Sequence, residues 1–216
     1  MTFMGKTLKQ YELGSACPPM AAVVKFESKA KALEIYNSDT YQDLIKKLGV
    51  GKSLFRDLRV IEGPSDLFIK GKAYWIALLS NIIDKDKFDK YFAAFMTRNE
   101  AGFEVKLEDG STAKVQLTIK SVGPSVCFEE GMKEVPPAGQ GADFFPGANT
   151  ESGLVVVAEF DNHEVGAKFK ECADYRNALL SSLGKEFTDE ETYKAAEQEF
   201  TETVFKRDVR IIGIPA

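Results

Sequence analysis

Few side chains in this sequence are equipped for acid–base or ligand chemistry, and their spacing narrows what they could do. His163 is the only histidine in 216 residues, which removes any site built from several imidazoles. It follows Asp161-Asn162, where a helix would start. The positive end of such a helix favours a neutral ring able to act as a base, and a first-turn histidine can equally be a solvated one. Cys17, Cys127 and Cys172 are far apart, with no C-x-x-C and no Cys/His cluster. That spacing supports neither a metal site nor a disulfide framework, and it reads as reduced thiols in an intracellular compartment. Cys172 has no base near it in sequence and reads as a buried, inert thiol. Gly139-Gln140-Gly141 lacks the strand-to-helix setting of a phosphate loop, and no nucleophile elbow occurs. No cofactor is expected.

Two arginine motifs carry more information. Arg56-Asp57-x-Arg59 and Arg207-Asp208-x-Arg210 each lie in a strand-like run. Alternation sets Asp57 and Arg59 opposite Leu58 and Val60, and Asp208 and Arg210 opposite Val209. If the apolar side packs on helices, these charges face a partner sheet. There an Asp–Arg pair staples two halves together, or Arg59 and Arg210 hold a carboxylate ligand. Tyr36, Asn37, Ser38 and Tyr41 offer hydroxyls and an amide at a helix break, suited to ligand contacts and equally to a turn. Tyr74 and Trp75 sit in an apolar strand, as pocket lining or as core.

The elements that must position these groups follow from periodicity. Strands are expected over Thr7–Leu13, Ala21–Phe26 and Phe55–Glu62. Between the last two, Ser28 caps a helix, Asn37-Ser38-Asp39 interrupts it, and Gly49 ends the next one. Ala73–Leu79 is a strongly apolar strand. Asp84 then caps a helix with Phe88, Tyr91, Phe92, Phe95 and Met96 on one face. Alternating runs across Asp109-Gly110 signal a hairpin. Residues 121–152, rich in Pro and Gly, read as a long loop. A strand over Gly153–Phe160, a helix, a second helix opened by a Thr188/Glu191 capping box, and a closing strand complete the chain.

Several of these segments occur twice. Val23-Val24-Lys25-Phe26-Glu27 returns as Val157-Ala158-Glu159-Phe160-Asp161, Tyr41 as Tyr175, and Arg56–Ile61 as Arg207–Ile212. An internal repeat means that one supersecondary unit is used twice. The boundaries are 1–63 for a β-β-α-β unit, 64–71 for a linker, and 72–216 for a complete unit carrying the 121–152 loop and a 188–204 helix as insertions. With 44% hydrophobic and 28% charged residues and a net charge of −5, the chain has the composition of a soluble globular protein. That charge disfavours nucleic acid and anionic membrane as partners. No apolar run approaches membrane-spanning length.

Lys72-Ala73-Tyr74-Trp75-Ile76, the aromatic helix, the strand ending at Phe160, the Tyr36-Asn37-Ser38-x-x-Tyr41 segment and both arginine motifs resemble family 1330 of the domains of unknown function. That family is similar to the dimeric α/β-barrel superfamily, with a ferredoxin-like β-α-β-β-α-β fold. The resemblance covers 72–213 as one full copy and about 7–63 as a copy without its first strand and helix. Lys170-Glu171-Cys172 stands where the other copy has Tyr36-Asn37-Ser38. The resemblance implies an α+β protein, two tandem ferredoxin-like units packed as a pseudo-dimeric α/β barrel, the first lacking β1-α1. It brings no activity, since superfamily relatives range from cofactor-free monooxygenases to isomerases and haem enzymes.

The function expected from this is binding of a small apolar or planar metabolite between sheet and helices, by a binder or a cofactor-free enzyme in the cytoplasm. The alternative is a non-catalytic structural or assembly module. The pocket would have the Tyr74–Ser80 strand as floor and Phe88, Phe92, Phe95 and the helix with Phe169 and Tyr175 as roof. Tyr175, Arg176 or Arg210 would anchor the ligand, with contributions from Tyr36, Asn37 and Arg59. His163 and Tyr175 are the candidate catalytic groups, and Phe144-Phe145-Pro146-Gly147 the candidate lid. The sheet edge left by the missing strand should be covered, by residues 121–152, by the 188–204 helix, or by a second copy in a homodimer.

Overall fold

The computed structural model describes residues 2–11, 20–50, 58–129 and 146–216. The first part of the chain supplies strands β1 (Thr2–Tyr11) and β2 (Met20–Val24), helices α1 (Lys29–Tyr36) and α2 (Asp39–Leu48), and strand β3 (Leu58–Ile61). Local chemistry sets the helix limits. Ser28 Oγ accepts from Lys31 N, and Ser38 Oγ from Tyr41 N at 3.3 Å, so the break at Asn37 ends one helix and caps the next. Gly49 closes α2 in the left-handed conformation, φ 69°. Leu58 and Val60 turn toward these helices and pack with Tyr36 and Ile45.

The second part supplies β4 (Ala73–Ile82), α3 (Lys85–Ala101), the pair β5 (Phe103–Lys106) and β6 (Thr112–Val115), then β7 (Thr118–Glu129) and β8 (Pro146–Phe160). Helix α4 (His163–Lys168), a 3₁₀ turn at Phe169–Glu171, α5 (Ala173–Ser182), α6 (Glu190–Thr203) and β9 (Phe205–Gly213) follow. Cys172 caps α5 through Sγ, which accepts from Tyr175 N at 3.4 Å. That is the geometry of Ser38 and Tyr41, with sulfur in place of oxygen. At α6 the cap is Asp189, accepting from Thr192 N at 2.8 Å, one residue beyond the expected Thr188. A carboxylate accepts more strongly than a hydroxyl and suits the positive helix end.

The protein is α+β, and its described residues form an antiparallel seven-stranded sheet in the order β2-β1-β9-β4-β8-β7-β3, with β5-β6 as a separate two-stranded sheet. Two expectations change here. Residues 121–129 and 146–152 belong to β7 and β8 rather than to a loop. The register of β7 against β8 shifts at Ile119/Ser121, Pro124/Val126 and Cys127/Glu129. Bulges of this kind let Gly123-Pro124 sit in a strand without demanding a regular ladder hydrogen bond from proline. The hairpin across Asp109-Gly110 stands apart from the main sheet, and Leu117 is held instead by Asn99. Its amide accepts from Leu117 N at 2.7 Å and donates to Leu117 O at 3.0 Å. Residues 55–57, the strand start expected before Leu58, lie outside the described residues, as do Phe144 and Phe145.

Helices cover one face of the sheet. There Trp75, Ala77 and Leu79 of β4, Ala158 and Phe160 of β8, and Val209 and Ile211 of β9 meet Phe95, Phe169, Tyr175 and Phe200 in the main core. Helix α6 is anchored by Tyr193 and Ala196 against Leu180, and by two ion pairs. Lys170 Nζ lies 2.5 Å from Glu197 Oε1, and Arg176, set over the rings of Phe187 and Tyr193, reaches Glu190 at 2.6 Å. Gly166 of α4 marks a close helix–sheet approach. A Cβ there would meet Ala73 Cβ at 2.9 Å and Ile211 Cγ2 at 3.1 Å. Alanine gains about 1 kcal/mol over glycine in a helix, but overpacking a rigid core costs about 1–3 kcal/mol. Gly166→Ala should therefore lower the unfolding free energy in urea titrations. Gly123→Ala, where an added Cβ meets nothing within 4 Å, should leave it nearly unchanged.

Candidate functional site

Strand alternation splits the aromatic pair at the start of β4. Trp75 enters the helix-side core, and Tyr74 points to the opposite face, whose cluster among the described residues has no member from a helix. That face carries an apolar cluster, with Leu67, Val155, Val157, Ile212 and Ile214 buried and Val23, Ile61, Phe68 and Ile76 packed against them. Val23 comes from β2 and Ile61 from β3, the two ends of the sheet.

Beside these apolar side chains the sequence sets a polar group of residues. Tyr74 pairs across the ladder with Glu159, and its hydroxyl donates to Glu159 Oε2 at 2.9 Å while accepting from Ile69 N at 2.6 Å. The Phe68 ring lies edge-on to Tyr74, centroids 4.8 Å apart. Lys72 and Lys120 each bring Nζ to 3.9 Å from the Glu159 carboxylate, whose side chain is only 13% exposed. Each lysine has a second acidic partner, Asp161 at 3.0 Å for Lys72 and Asp66 at 3.3 Å for Lys120. Burial pushes the Tyr74 hydroxyl well above its ordinary 10.0, and the bond to Glu159 adds to this. The hydrogen bond from Lys120 holds Asp66 below the usual carboxylate range, and that to Asp161 raises Lys72. The result is a neutral hydroxyl and a carboxylate between two ammonium groups beside the apolar side chains of that face. Such a group can hold a polar substituent of a bound molecule.

The residues singled out by sequence are spread over several places. Arg210 lies opposite Ile76 in the β4–β9 register, on the Tyr74 face, and Arg59 alternates with Ile61 on the same side. Asp57 and the side chain of Asp208 lie outside the described residues. Tyr175 is fully buried on the other face, its ring 5.6 Å from Trp75 and 5.3 Å from Phe169. Arg176 is engaged by Glu190, and Phe92 is 44% exposed beside Phe88. Tyr36 and Asn37 belong to the α1–α2 break behind β3, where Tyr36 packs on Tyr41 at 5.6 Å.

His163 clamps the sheet end. Its Nε2 lies 2.9 Å from Ile214 O and 3.1 Å from Lys72 O. Carbonyls only accept, so Nε2 carries a proton and donates. The ring fits because Gly213 has no Cβ, which would lie 3.0 Å from it. Among the described residues no group of three His, Cys, Asp or Glu could hold a metal ion, and no helix is long and apolar enough to cross a membrane.

No family model, no curated protein and no solved structure matches this chain. The site therefore has to be read from its own geometry. Sequence reasoning passed over Glu159, Lys72 and Lys120. Their signal was present, since Glu159 interrupts the apolar run from Val155 to Phe160 on the face that alternation assigns to Tyr74.

Two buried acids make alkaline stability a test of this packing. Burial raises the Cys172 thiol from its ordinary 9.0 to about 11, and Tyr74 is raised from 10.0. Both stay neutral in the folded protein while the unfolded chain ionises, so the unfolded state holds fewer protons and stability falls with rising pH. The stabilisation is complete below about pH 9 and is lost as pH climbs past the folded values, Cys172 alone accounting for at most about 3 kcal/mol. Urea unfolding at pH 8 and pH 10.5 should show the loss, with a smaller slope in Cys172→Ser.

Proposed function

We propose that the chain binds a small apolar or planar metabolite, and that its site is the face of the sheet around Tyr74 and Glu159. The observation that carries this reading is the Tyr74–Glu159 pair, set between Lys72 and Lys120 beside the apolar side chains of that face. Apolar walls supply affinity, and a few fixed polar groups select orientation. Arg59 and Arg210, half-buried on the same face, extend the polar lining. Glu159 is the acid–base group of such a site, so a cofactor-free proton transfer is the chemistry it would perform.

The fold reading that goes with it is a pseudo-dimeric barrel of ferredoxin-like units. The order β9-β4-β8-β7 supports it for the second unit, because both crossovers skip one strand. The matching caps at Ser38 and Cys172, and the matching faces of Leu58/Val60 and Val209/Ile211, support it for the first. In a barrel the face bearing Tyr74 becomes the interior. The buried free thiol of Cys172 agrees with a reducing compartment such as the cytoplasm.

One observation favours a second position, between sheet and helices. Trp75 Nε1 is buried there with no hydrogen-bond partner among the described residues. Against it, Trp75, Phe95, Phe169 and Tyr175 fill one another's space at centroid distances of 5.3 to 5.6 Å for Trp75.

A thermal-shift screen of planar aromatic acids, phenols and quinones tests both. At least one compound should raise the melting temperature of the unmodified protein. Glu159→Gln should lose that shift while Trp75→Phe keeps it. The reverse pattern would move the site to the helix side, and a panel without any shift would remove the small-molecule reading.

A further inference from the structure

The polar group on the Tyr74 face can be balanced atom by atom. The Tyr74 hydroxyl has one proton, and it goes to Glu159 Oε2 at 2.9 Å. The same hydroxyl accepts from Ile69 N at 2.6 Å, which leaves it one lone pair and no donor. Glu159 Oε1 takes no hydrogen bond among the described residues, because the Lys72 ammonium stops 3.9 Å away. A carboxylate offers about four lone-pair sites and no donor. Its side chain is 13% exposed, so it is enclosed without being sealed.

Two ammonium groups on either side of a gap ordinarily make an anion site, but here the anion is already in place. Lys72 Nζ lies 3.9 Å from Glu159 Oε1 and Lys120 Nζ 3.9 Å from Oε2, so the carboxylate of the chain itself stands between them. Each lysine is also tied to a more open acid. Lys72 reaches Asp161 at 3.0 Å and Lys120 reaches Asp66 at 3.3 Å, and those carboxylates are 87% and 65% exposed. What the Tyr74–Glu159 pair still lacks is therefore a donor. A ligand carboxylate would have to displace Glu159 from its counter-ions, or bind elsewhere on the face, where Arg210 stands opposite Ile76.

We propose that the ligand of this site enters with a hydrogen-bond donor, a hydroxyl or an N–H on a flat apolar ring, directed at Glu159. This rests on the reading of the Tyr74 face as the ligand site, and it names the class of ligand taken there. The donor is accepted by the carboxylate, and the ring lies on the partly buried side chains of the same cluster, Phe68 and Ile76. An ether or a ketone of the same shape brings only lone pairs. It would set them against a carboxylate that has lost water and gained no partner, which is how a site built for a hydroxyl rejects its analogues.

The test is isothermal titration of the full chain with 2-naphthol, 2-methoxynaphthalene and 2-naphthoate, one ring system that presents in turn a donor, an acceptor and a charge. 2-Naphthol should bind at one per chain. Its methyl ether should bind about tenfold to a hundredfold more weakly, the factor that a hydrogen bond to a charged acceptor contributes. Glu159→Gln should remove most of that difference. An ether that binds as well as the naphthol overturns the proposal, and this comparison needs only the unmodified chain. A naphthol preference that survives Glu159→Gln in full overturns it too. Tightest binding by 2-naphthoate, kept in Glu159→Gln and lost in Arg210→Met, overturns it while leaving a ligand site on this face. If none of the three binds, the donor class falls, whereas the site itself falls only with an empty thermal-shift panel.

Discussion

Strand β4 hydrogen-bonds along both edges, to β8 and β9, and it is covered on both faces. Over Ala73–Ala77 little of it can turn to water, so its backbone groups are satisfied by the ladder and its side chains by packing. This fixes the register of three strands at once. Tyr74 must stand beside Glu159 and Ile212, and Ile76 beside Arg210. A slip of one residue would drive Tyr74 into the aromatic core and expose Trp75 to the opposite face. The candidate site and the helix-side core are therefore two readings of a single constraint.

Local chemistry was legible in the sequence and long-range register was not. Ser28, Asp84 and Gly49 end helices where their side chains or backbone freedom require it, and each could be read from a few neighbouring residues. The opposite faces of Leu58/Val60 and Ile61 follow from alternation alone. Asp189 took the cap expected of Thr188 because two adjacent residues could both accept, and the carboxylate is the better acceptor. The strands hidden in residues 121–152 were obscured by Gly123-Pro124, which reads as a turn unless bulges are already known to be there.

The site was legible only in pieces. Tyr74, Arg210 and Arg59 could be placed on one face by counting along their strands. Glu159 and Lys120 join them only because β8 lies between β4 and β7, an order that no local signal encodes. Tyr175 and Arg176 look equally chemical in sequence, yet one is core and the other serves α6. A hydroxyl or guanidinium shows its use only when its neighbours from distant strands are known.

The helix α6 has a consequence for the history of the chain. Lys170 is a buried cation and Arg176 a half-buried one, and their carboxylate partners Glu197 and Glu190 both come from that helix. The corresponding positions in the other half are Tyr36 and Gln42, which need no such counter-charge. Losing α6 now would strip both cations of these counter-charges and uncover the apolar surface around Leu180 that Tyr193 and Ala196 bury. Once those residues were in place the added helix became hard to discard. It works as a ratchet: the two halves can go on diverging, but the second can no longer return to the plan of the first by simple deletion.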